Sequence, residues 1–89
     1  MIYKIVRTNS FKIAWKKINS NDKDRVLKVL EKLANDEPLE PKHKDHKLKG
    51  EYKDFRECHI LPDLLLIYQK REDILILNAF KLGSHSELF

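Results

Sequence analysis

Cysteine, glycine and proline are scarce in this chain, with one, two and three of them among 89 residues. The single thiol, Cys58, cannot form an intramolecular disulfide, which favours a protein of a reducing compartment. So few glycines and prolines leave no low-complexity linker, and 89 residues suffice for one modest core but not for two. We therefore expect one domain over residues 1–89.

Long apolar runs are also missing. The longest, residues 64–68 and 74–77, fall far short of the ~20 residues that span a bilayer. The start of the chain alternates in polarity and lacks the apolar stretch of a secretory signal. We therefore expect no membrane association and a cytoplasmic location.

Positive charge is in excess: 18 Lys and Arg against 14 Asp and Glu give a net charge of +4. The segment 41–53, here called the basic loop, holds five lysines and two histidines against Asp45 and Glu51. Such a balance favours a polyanion or an acidic protein as partner. A solvated loop without a ligand is the alternative.

Hydrophobic patterning predicts a strand, two helices and then a meander of strands. The second helix is the clearest element, because it gathers four apolar residues on one face. An α+β sandwich with the helices on one face of the sheet follows, and its other face is left free for a ligand. The predicted elements are a strand over 2–7, a helix capped by Ser10 and running to Ile18, a helix over 22–35 with Val26, Val29, Leu30 and Leu33 inward, and strands over 55–60, 64–69 and 74–82. The runs 64–67 and 74–77 are apolar on both faces, so these strands are expected to lie centrally in the sheet.

Groups suited to proton transfer are concentrated in the C-terminal half, since histidine titrates near neutral pH. On the strand over 55–60, Glu57 and His59 share a face and lie ~6.5–7 Å apart. Pro62 turns the chain and is expected to place Asp63 beside His59, where a carboxylate would fix the imidazole tautomer. A surface ion pair of little energetic value is the alternative.

The other candidate side chains also have two interpretations each. Arg56 shares the parity of the core residue Cys58, so it is expected to reach past the sheet edge or to pair with a carboxylate. In the last strand Leu75, Leu77, Ala79 and Lys81 are expected to share a face, and Lys81 either holds a phosphate or extends to solvent.

The chain end is predicted to form a short helix capped by Ser84. His85 and Phe89 on this helix are either a frayed tail and a hydrophobic plug, or a proton donor and a ring that stacks on a base.

Metal and cofactor signals are weak. His43 and His46 form His-x-x-His, but no second cysteine exists and no carboxylate or histidine stands at a helical ligand spacing. A glycine-rich phosphate loop is also missing. We expect neither a metal nor a cofactor.

Four ordered blocks strongly resemble one known family, the YafQ branch of the RelE/ParE toxin superfamily. The blocks are Lys44-Asp45-His46-x-Leu48-x-Gly50, Phe55-Arg56-Glu57-Cys58-His59, Pro62-Asp63-Leu64-Leu65-Leu66-Ile67-Tyr68 and Leu82-Gly83-Ser84-His85-Ser86-Glu87-Leu88-Phe89. They cover about the C-terminal half, and the N-terminal half agrees only in its order of elements.

The resemblance implies a RelE-like sandwich with an antiparallel-rich curved sheet, two N-terminal helices on one face and a short C-terminal helix. It implies a toxin of a bacterial type II toxin–antitoxin system that cleaves mRNA, usually on the ribosome. The implied partners are a cognate antitoxin and, only through the antitoxin complex, operator DNA. The family positions fall on His46, His59, Asp63 and His85, with Phe89 contacting substrate, and on Glu57 and Lys81 in close relatives.

RNA carries its own nucleophile, the 2′-hydroxyl, so cleavage without a metal requires a base, an acid and cations around the phosphate. We assign His85 as the acid and His59 with Asp63, or His46, to the 2′-hydroxyl side, with Glu57 as an alternative base. The predicted substrate-binding residues are Lys47, Lys49, Arg56, Lys81 and Phe89. Because many relatives have arginine at the position of Lys81, this chain loses a bidentate phosphate contact there.

Two other functions compete with RNA cleavage. A ParE-like toxin acts by binding DNA gyrase and would not need this set of histidines. A non-catalytic module would only bind the antitoxin and, within that complex, the operator.

Overall fold

The structure, a computed structural model, describes residues 2–89, so that only the first residue of the predicted domain lies outside it. The strands and helices are β1 (Lys4–Arg7), α1 (Asn9–Lys17), α2 (Ser20–Ala34), β2 (His46–Lys47), β3 (Arg56–Leu61), β4 (Leu64–Arg71), β5 (Ile76–Gly83) and α3 (His85–Leu88). One five-stranded sheet has the order β1-β5-β4-β3-β2, in which β1 runs parallel to β5 and the other pairs are antiparallel. The predicted α+β class is confirmed.

The two long helices begin at side-chain caps. The α1 cap is Thr8, whose hydroxyl accepts the Phe11 N–H at 3.1 Å, so the predicted cap at Ser10 is wrong by two residues. Asn19 caps α2 by accepting the Asp22 N–H at 2.8 Å, which confirms the predicted break between the helices. A cap of this type stabilises a helix by ~1 kcal/mol. The predicted inward residues of α2 are buried: Val26, Val29, Leu30 and Leu33.

The sheet has two unlike faces because successive side chains of a strand alternate. One face packs against the helices and forms the main core with Cys58, Leu66, Tyr68, Leu77 and Ala79, among others. We call the opposite one the open face because the two long helices pack against the other one; the strand register places Glu57, His59, Leu65, Ile67 and Lys81 on it. Glu57, Leu65 and Ile67 are nevertheless buried, so the expectation that this whole face is free for a ligand is wrong. β4 is buried on both faces along its first five residues, as predicted.

The turn between β4 and β5 lies later in the chain than predicted. β5 begins at Ile76, and residues 72–75 form the turn. Leu75 has a φ of 52°, in the left-handed region where a bulky side chain is strained. Ile74 and Leu75 are about half exposed, so the prediction that they lie in a central strand is wrong.

A β-bulge changes the parity of β5. Ile67 pairs with Lys81 while the next residue, Tyr68, pairs with Ala79, so Phe80 is an extra residue opposite this pair. A bulge reverses which face the following side chains occupy. Lys81 therefore lies on the open face, and the prediction that it shares a face with Leu77 and Ala79 is wrong.

The longest helix has 15 residues, and within residues 2–89 none combines the length and the apolar character that a bilayer crossing requires.

Candidate active site

The strand β2 organises the basic loop. Its two residues pair antiparallel with β3, so that His46 lies opposite Glu57 and Lys47 lies opposite Arg56. A strand of two residues is too short to show an alternating pattern, so it could not be predicted from the sequence. The pairing adds His46 to a row of open-face residues that continues through Glu57 and Ile67 to Lys81.

Two imidazoles approach the same carboxylate oxygen. Nε2 of His46 lies 3.7 Å from Oε1 of Glu57, and Nε2 of His59 lies 3.6 Å from it. The Glu57 side chain is 7% exposed, against 49% for His46 and 24% for His59. A buried carboxylate costs free energy unless polar groups compensate it. In this arrangement, the Glu57 carboxylate can stabilise a positive charge on either imidazole ring.

A hydrogen bond at Nδ1 of His46 determines which of its two ring nitrogens takes part in proton transfer. Nδ1 of His46 lies 2.7 Å from the carbonyl oxygen of Lys44. A carbonyl only accepts, so Nδ1 carries a hydrogen and donates it. Nε2, which faces Glu57, is then the nitrogen that gains or loses a proton.

Asp63 lies at the start of α3 rather than against the ring of His59. Its Oδ1 accepts the backbone N–H of His85 at 3.3 Å. In the part of the chain that the structure describes, the carboxylate within 4 Å of the His59 ring is that of Glu57. The expected pairing of Asp63 with the His59 ring is therefore not formed, because the turn after β3 directs Asp63 toward the chain end.

The chain end is an ordered helix, as predicted from Ser84. The Ser84 hydroxyl accepts the Glu87 N–H, and the Glu87 carboxylate accepts the Ser84 N–H at 2.8 Å, which completes a capping box. Hydrogen bonds that the Glu87 carboxylate accepts from Ser84, first of all from its backbone N–H, hold the pKa of Glu87 below its ordinary value. His85 is thereby fixed on α3, with its ring 5.2 Å from that of Phe89.

The helix that carries His85 begins just after Gly83, which lies in the same row of paired residues as His59. Gly83 pairs with Leu65, and Leu65 pairs with His59, all on the open face. Neighbouring strands are ~4.8 Å apart, so the Cα atoms of His59 and Gly83 are roughly 10 Å apart. His85 comes two residues after Gly83, so His59 and His85 are brought to the same end of the open face.

An aromatic cluster lies beside His85. It consists of Tyr52, Phe55, Phe80 and Phe89; its ring centroids are 4.6 Å apart for Phe55 and Phe80, and 6.1 Å apart for Tyr52 and Phe89. Nζ of Lys81 lies 5.4 Å from the Phe80 ring and 5.9 Å from the Tyr52 ring. The sequence predicted only Phe89 of these four rings as part of the site, because the other three come from distant segments without a common period. Phe89 is 56% exposed, so its ring is accessible to a ligand.

The remaining predicted substrate-binding residues lie outside the open-face row: Lys47 pairs with Arg56, so its side chain is on the same side of the sheet as that of Arg56. Lys47 and Lys49 are exposed on the basic loop. Nε of Arg56 instead donates to Oδ1 of Asp45 at 3.2 Å, next to the core tyrosine Tyr68. Of the two roles left open for Arg56, this geometry favours the structural one.

His43 was considered only as a metal ligand, yet it supports the site. Its Nδ1 donates to the backbone carbonyl of His59, 2.7 Å away. The β3–β4 ladder is irregular between His59 and Leu61, so this carbonyl lies where the regular pairing is interrupted. No sequence signal could have revealed the bond, since it joins two segments 16 residues apart. Within residues 2–89, no group of three or more His, Cys, Asp or Glu side chains is arranged to hold a metal ion.

Comparison with known families gives a match over nearly the whole chain. Residues 3–89 match the family described as YafQ, the bacterial toxin of type II toxin–antitoxin systems. A curated relative, the mRNA interferase toxin YafQ of Escherichia coli strain K12, is 35% identical over 78 residues, which are 88% of this chain and 82% of the relative.

Solved structures agree over the same length. A metal-bound toxin from Helicobacter pylori is 42% identical, covers 100% of both chains and superposes with a TM-score of 0.84. The E. coli DinJ–YafQ complex contains a chain that is 28% identical, covers 98% of both chains and gives a TM-score of 0.80. The expected RelE-like arrangement is confirmed by this likeness.

Proposed function

The chain belongs to the YafQ family of bacterial type II toxins, and we propose that it is an endoribonuclease that cleaves mRNA and so inhibits translation. The E. coli relatives are named mRNA interferases, in agreement with the activity expected from the sequence. One observation carries the proposal for this chain itself. The Nε2 atoms of His46 and His59 both lie within 4 Å of the buried Glu57 carboxylate, and the helix that carries His85 follows the strand row of His59.

We assign His46, His59 and Glu57 to the 2′-hydroxyl side of the reaction. A neutral imidazole accepts the hydroxyl proton at Nε2, and the 2′-oxygen attacks the adjacent phosphorus. Glu57 lies close enough to either ring to stabilise the imidazolium that forms. A positioned base contributes typically ~10²–10⁴-fold to the rate. Glu57 is itself the alternative base, since its carboxylate lies between the two histidine rings.

His85 is assigned as the general acid. As the bond between phosphorus and the 5′-oxygen breaks, His85 protonates that oxygen, which leaves a 2′,3′-cyclic phosphate and a 5′-hydroxyl. Its place at the start of an exposed helix gives an RNA strand access to the ring. Asp63 contributes through the His85 backbone, which it contacts, rather than through His59.

Cations and rings complete the substrate site. Lys81 lies two strands from Glu57 in the same row of the open face, so its ammonium is assigned to the scissile phosphate. Lys47 and Lys49 on the basic loop are assigned to flanking phosphates, where neutralisation makes binding weaker at high salt. Phe89 is exposed and is assigned to stacking on a base. Arg56, engaged with Asp45, has no substrate role in this proposal.

The mechanism assigns no step to a metal, since the nucleophile belongs to RNA and the histidines supply the proton transfers. The partners of the proposal are translated mRNA on the ribosome and a cognate antitoxin, with operator DNA bound only through the antitoxin complex. An E. coli relative has been solved with its partner DinJ, which supports an antitoxin for this chain. A cytoplasmic location follows from these partners.

Expression in bacteria, with the ends of a translated message mapped, tests the proposal. We expect cleavage in the message within minutes, and no cleavage with His85→Ala although antitoxin binding is retained. Ser86→Ala, an exposed neighbour on the same helix, is the matched control and should cleave as the parent does. Growth arrest with intact messages would favour the gyrase-binding alternative, and an unaffected His85→Ala would favour the non-catalytic one.

A further inference from the structure

A polar cluster that the proposed mechanism does not use lies beside the loop that carries His46. The Tyr68 hydroxyl donates to Oδ1 of Asp45 at 2.6 Å, and Nε of Arg56 donates to the same oxygen at 3.2 Å. Tyr68 is 1% exposed and belongs to the core beneath the helices. We call Asp45, Arg56 and Tyr68 the Asp45 clamp. It joins a residue of the basic loop to the central strand of the sheet, β4.

The Asp45 clamp is stronger than an ordinary surface contact. Hydrogen bonds to a charged carboxylate are roughly twice as strong as neutral ones. Burial, and then the hydrogen bond to Asp45, raises the pKa of the Tyr68 hydroxyl, which therefore remains a donor. A buried tyrosine hydroxyl also needs a partner, and the Asp45 carboxylate supplies one.

Asp45 immediately precedes His46, and the two side chains point in opposite directions. The Asp45 carboxylate contacts Tyr68 on the helix side of the sheet, whereas the His46 ring contacts Glu57 on the open face. β2 has only two residues, so its own ladder gives His46 little support. The side chain of Asp45 is thus the long-range anchor nearest to the His46 ring.

We propose that Asp45, held by Tyr68 and Arg56, is a positioning residue that sets His46 against Glu57. The inference rests on the proposed function, since it concerns the reaction in which His46 takes part. Without the anchor, the ring loses its fixed distance from Glu57 and from the 2′-hydroxyl. Misplacement of a reacting group by ~1 Å costs up to about a hundredfold in rate. Lys81 and Phe89 lie outside the basic loop and keep their substrate contacts, so the main effect is expected on kcat rather than on KM.

Tyr68→Phe tests the inference because it removes only the hydroxyl and preserves the packed ring. We expect kcat for RNA cleavage to fall about tenfold, with KM changed less than twofold, and the same direction for Asp45→Asn. Tyr3→Phe is the matched control: Tyr3 is also buried but lies at the opposite edge of the sheet, so kcat should not change.

A double-mutant cycle with His46→Ala separates positioning from general destabilisation. If the clamp acts through His46, then Tyr68→Phe has no further effect on kcat in the His46→Ala background. Equal losses in both backgrounds, or a Tyr68→Phe protein as active as the parent, would overturn the inference while leaving the proposed function intact. A fully active His46→Ala protein would remove His46 from the proposed mechanism as well.

Histidine ring NMR supplies a readout that needs no RNA. The His46 ring resonances should shift or broaden in Tyr68→Phe, while those of His85, on the separate helix α3, stay in place. Unchanged His46 resonances would overturn the inference whatever the activity of the protein. If the parent chain does not cleave RNA, but the His46 resonances still shift in Tyr68→Phe, the result would count against the proposed function and not against the positioning role of Asp45.

Discussion

Nε2 of His59 lies 3.6 Å from Oε1 of Glu57, two residues earlier on the same strand. Side chains at positions i and i+2 share a face of a strand, and within residues 2–89 no other carboxylate comes within 4 Å of this ring. His46 joins the pair from the neighbouring strand. The carboxylate of Glu57 is therefore the centre of the proposed base, whereas the sequence predicted Asp63 as the partner of His59.

Glu57→Gln removes the charge at this centre and keeps the shape of the side chain. We expect kcat for mRNA cleavage to fall by about 10²-fold or more, because the imidazolium formed in the reaction loses its counter-charge. Single-turnover cleavage of a labelled RNA measures the effect, and thermal unfolding of the variant verifies that it folds. Cleavage at the parental rate would remove Glu57 from the mechanism.

Asp63 is expected to act through its bond to the His85 backbone. Asp63→Asn keeps an oxygen that can accept this N–H, whereas Asp63→Ala does not, so cleavage should fall several-fold more in the alanine variant. Initial rates of RNA cleavage for the two proteins give the comparison. Equal and large losses in both variants would instead indicate that the negative charge of Asp63 takes part in the chemistry.

His43 is expected to maintain the backbone at His59. Asparagine can place a donor where Nδ1 of the imidazole lies, so His43→Asn should retain most activity and His43→Leu should lose about tenfold. Cleavage rates are compared at matched salt. The idea fails if the leucine variant cleaves as well as the asparagine variant.

Cys58 should be inert in the folded protein. It is fully buried, and burial raises the pKa of its thiol, so the reactive thiolate is scarce at neutral pH. We expect no alkylation by iodoacetamide at pH 8 under native conditions and complete alkylation in guanidinium, as measured by mass spectrometry. Rapid native alkylation would show that β3 opens readily.

The C-terminal helix should weaken in acid. The hydrogen bonds from Ser84 hold the pKa of Glu87 below its ordinary value of 4.5. A lowered folded-state pKa means that the stabilisation is present above the unfolded value and is lost as the pH falls through the folded one. The protection of the Leu88 and Phe89 amides, whose N–H groups bond within α3, should therefore fall below about pH 4 when exchange is corrected for the intrinsic rate at each pH. Glu87→Gln is the control, and its exchange should lack this extra pH dependence.

Local patterns in the sequence specified most of the elements. The apolar stripe of α2, the two-sided burial of β4 and the cap at Ser84 each depend on neighbouring residues, and each is present in the structure. The shared face of Glu57 and His59 also follows from strand parity alone. The blocks of the C-terminal half identified the family for the same reason, since they are contiguous.

Tertiary structure decided where the distant groups meet. The bulge at Phe80 moved Lys81 to the open face, and the pairing of β2 with β3 brought His46 to Glu57. The Asp63 carboxylate contacts the backbone of His85 at the start of α3 and not the ring of His59. Register, bulges and side-chain contacts between segments depend on the free energy of packing the whole sheet, which no short window of sequence contains. The sequence by itself therefore determined which residues are available for chemistry, and only the packed sheet decided which of them act together.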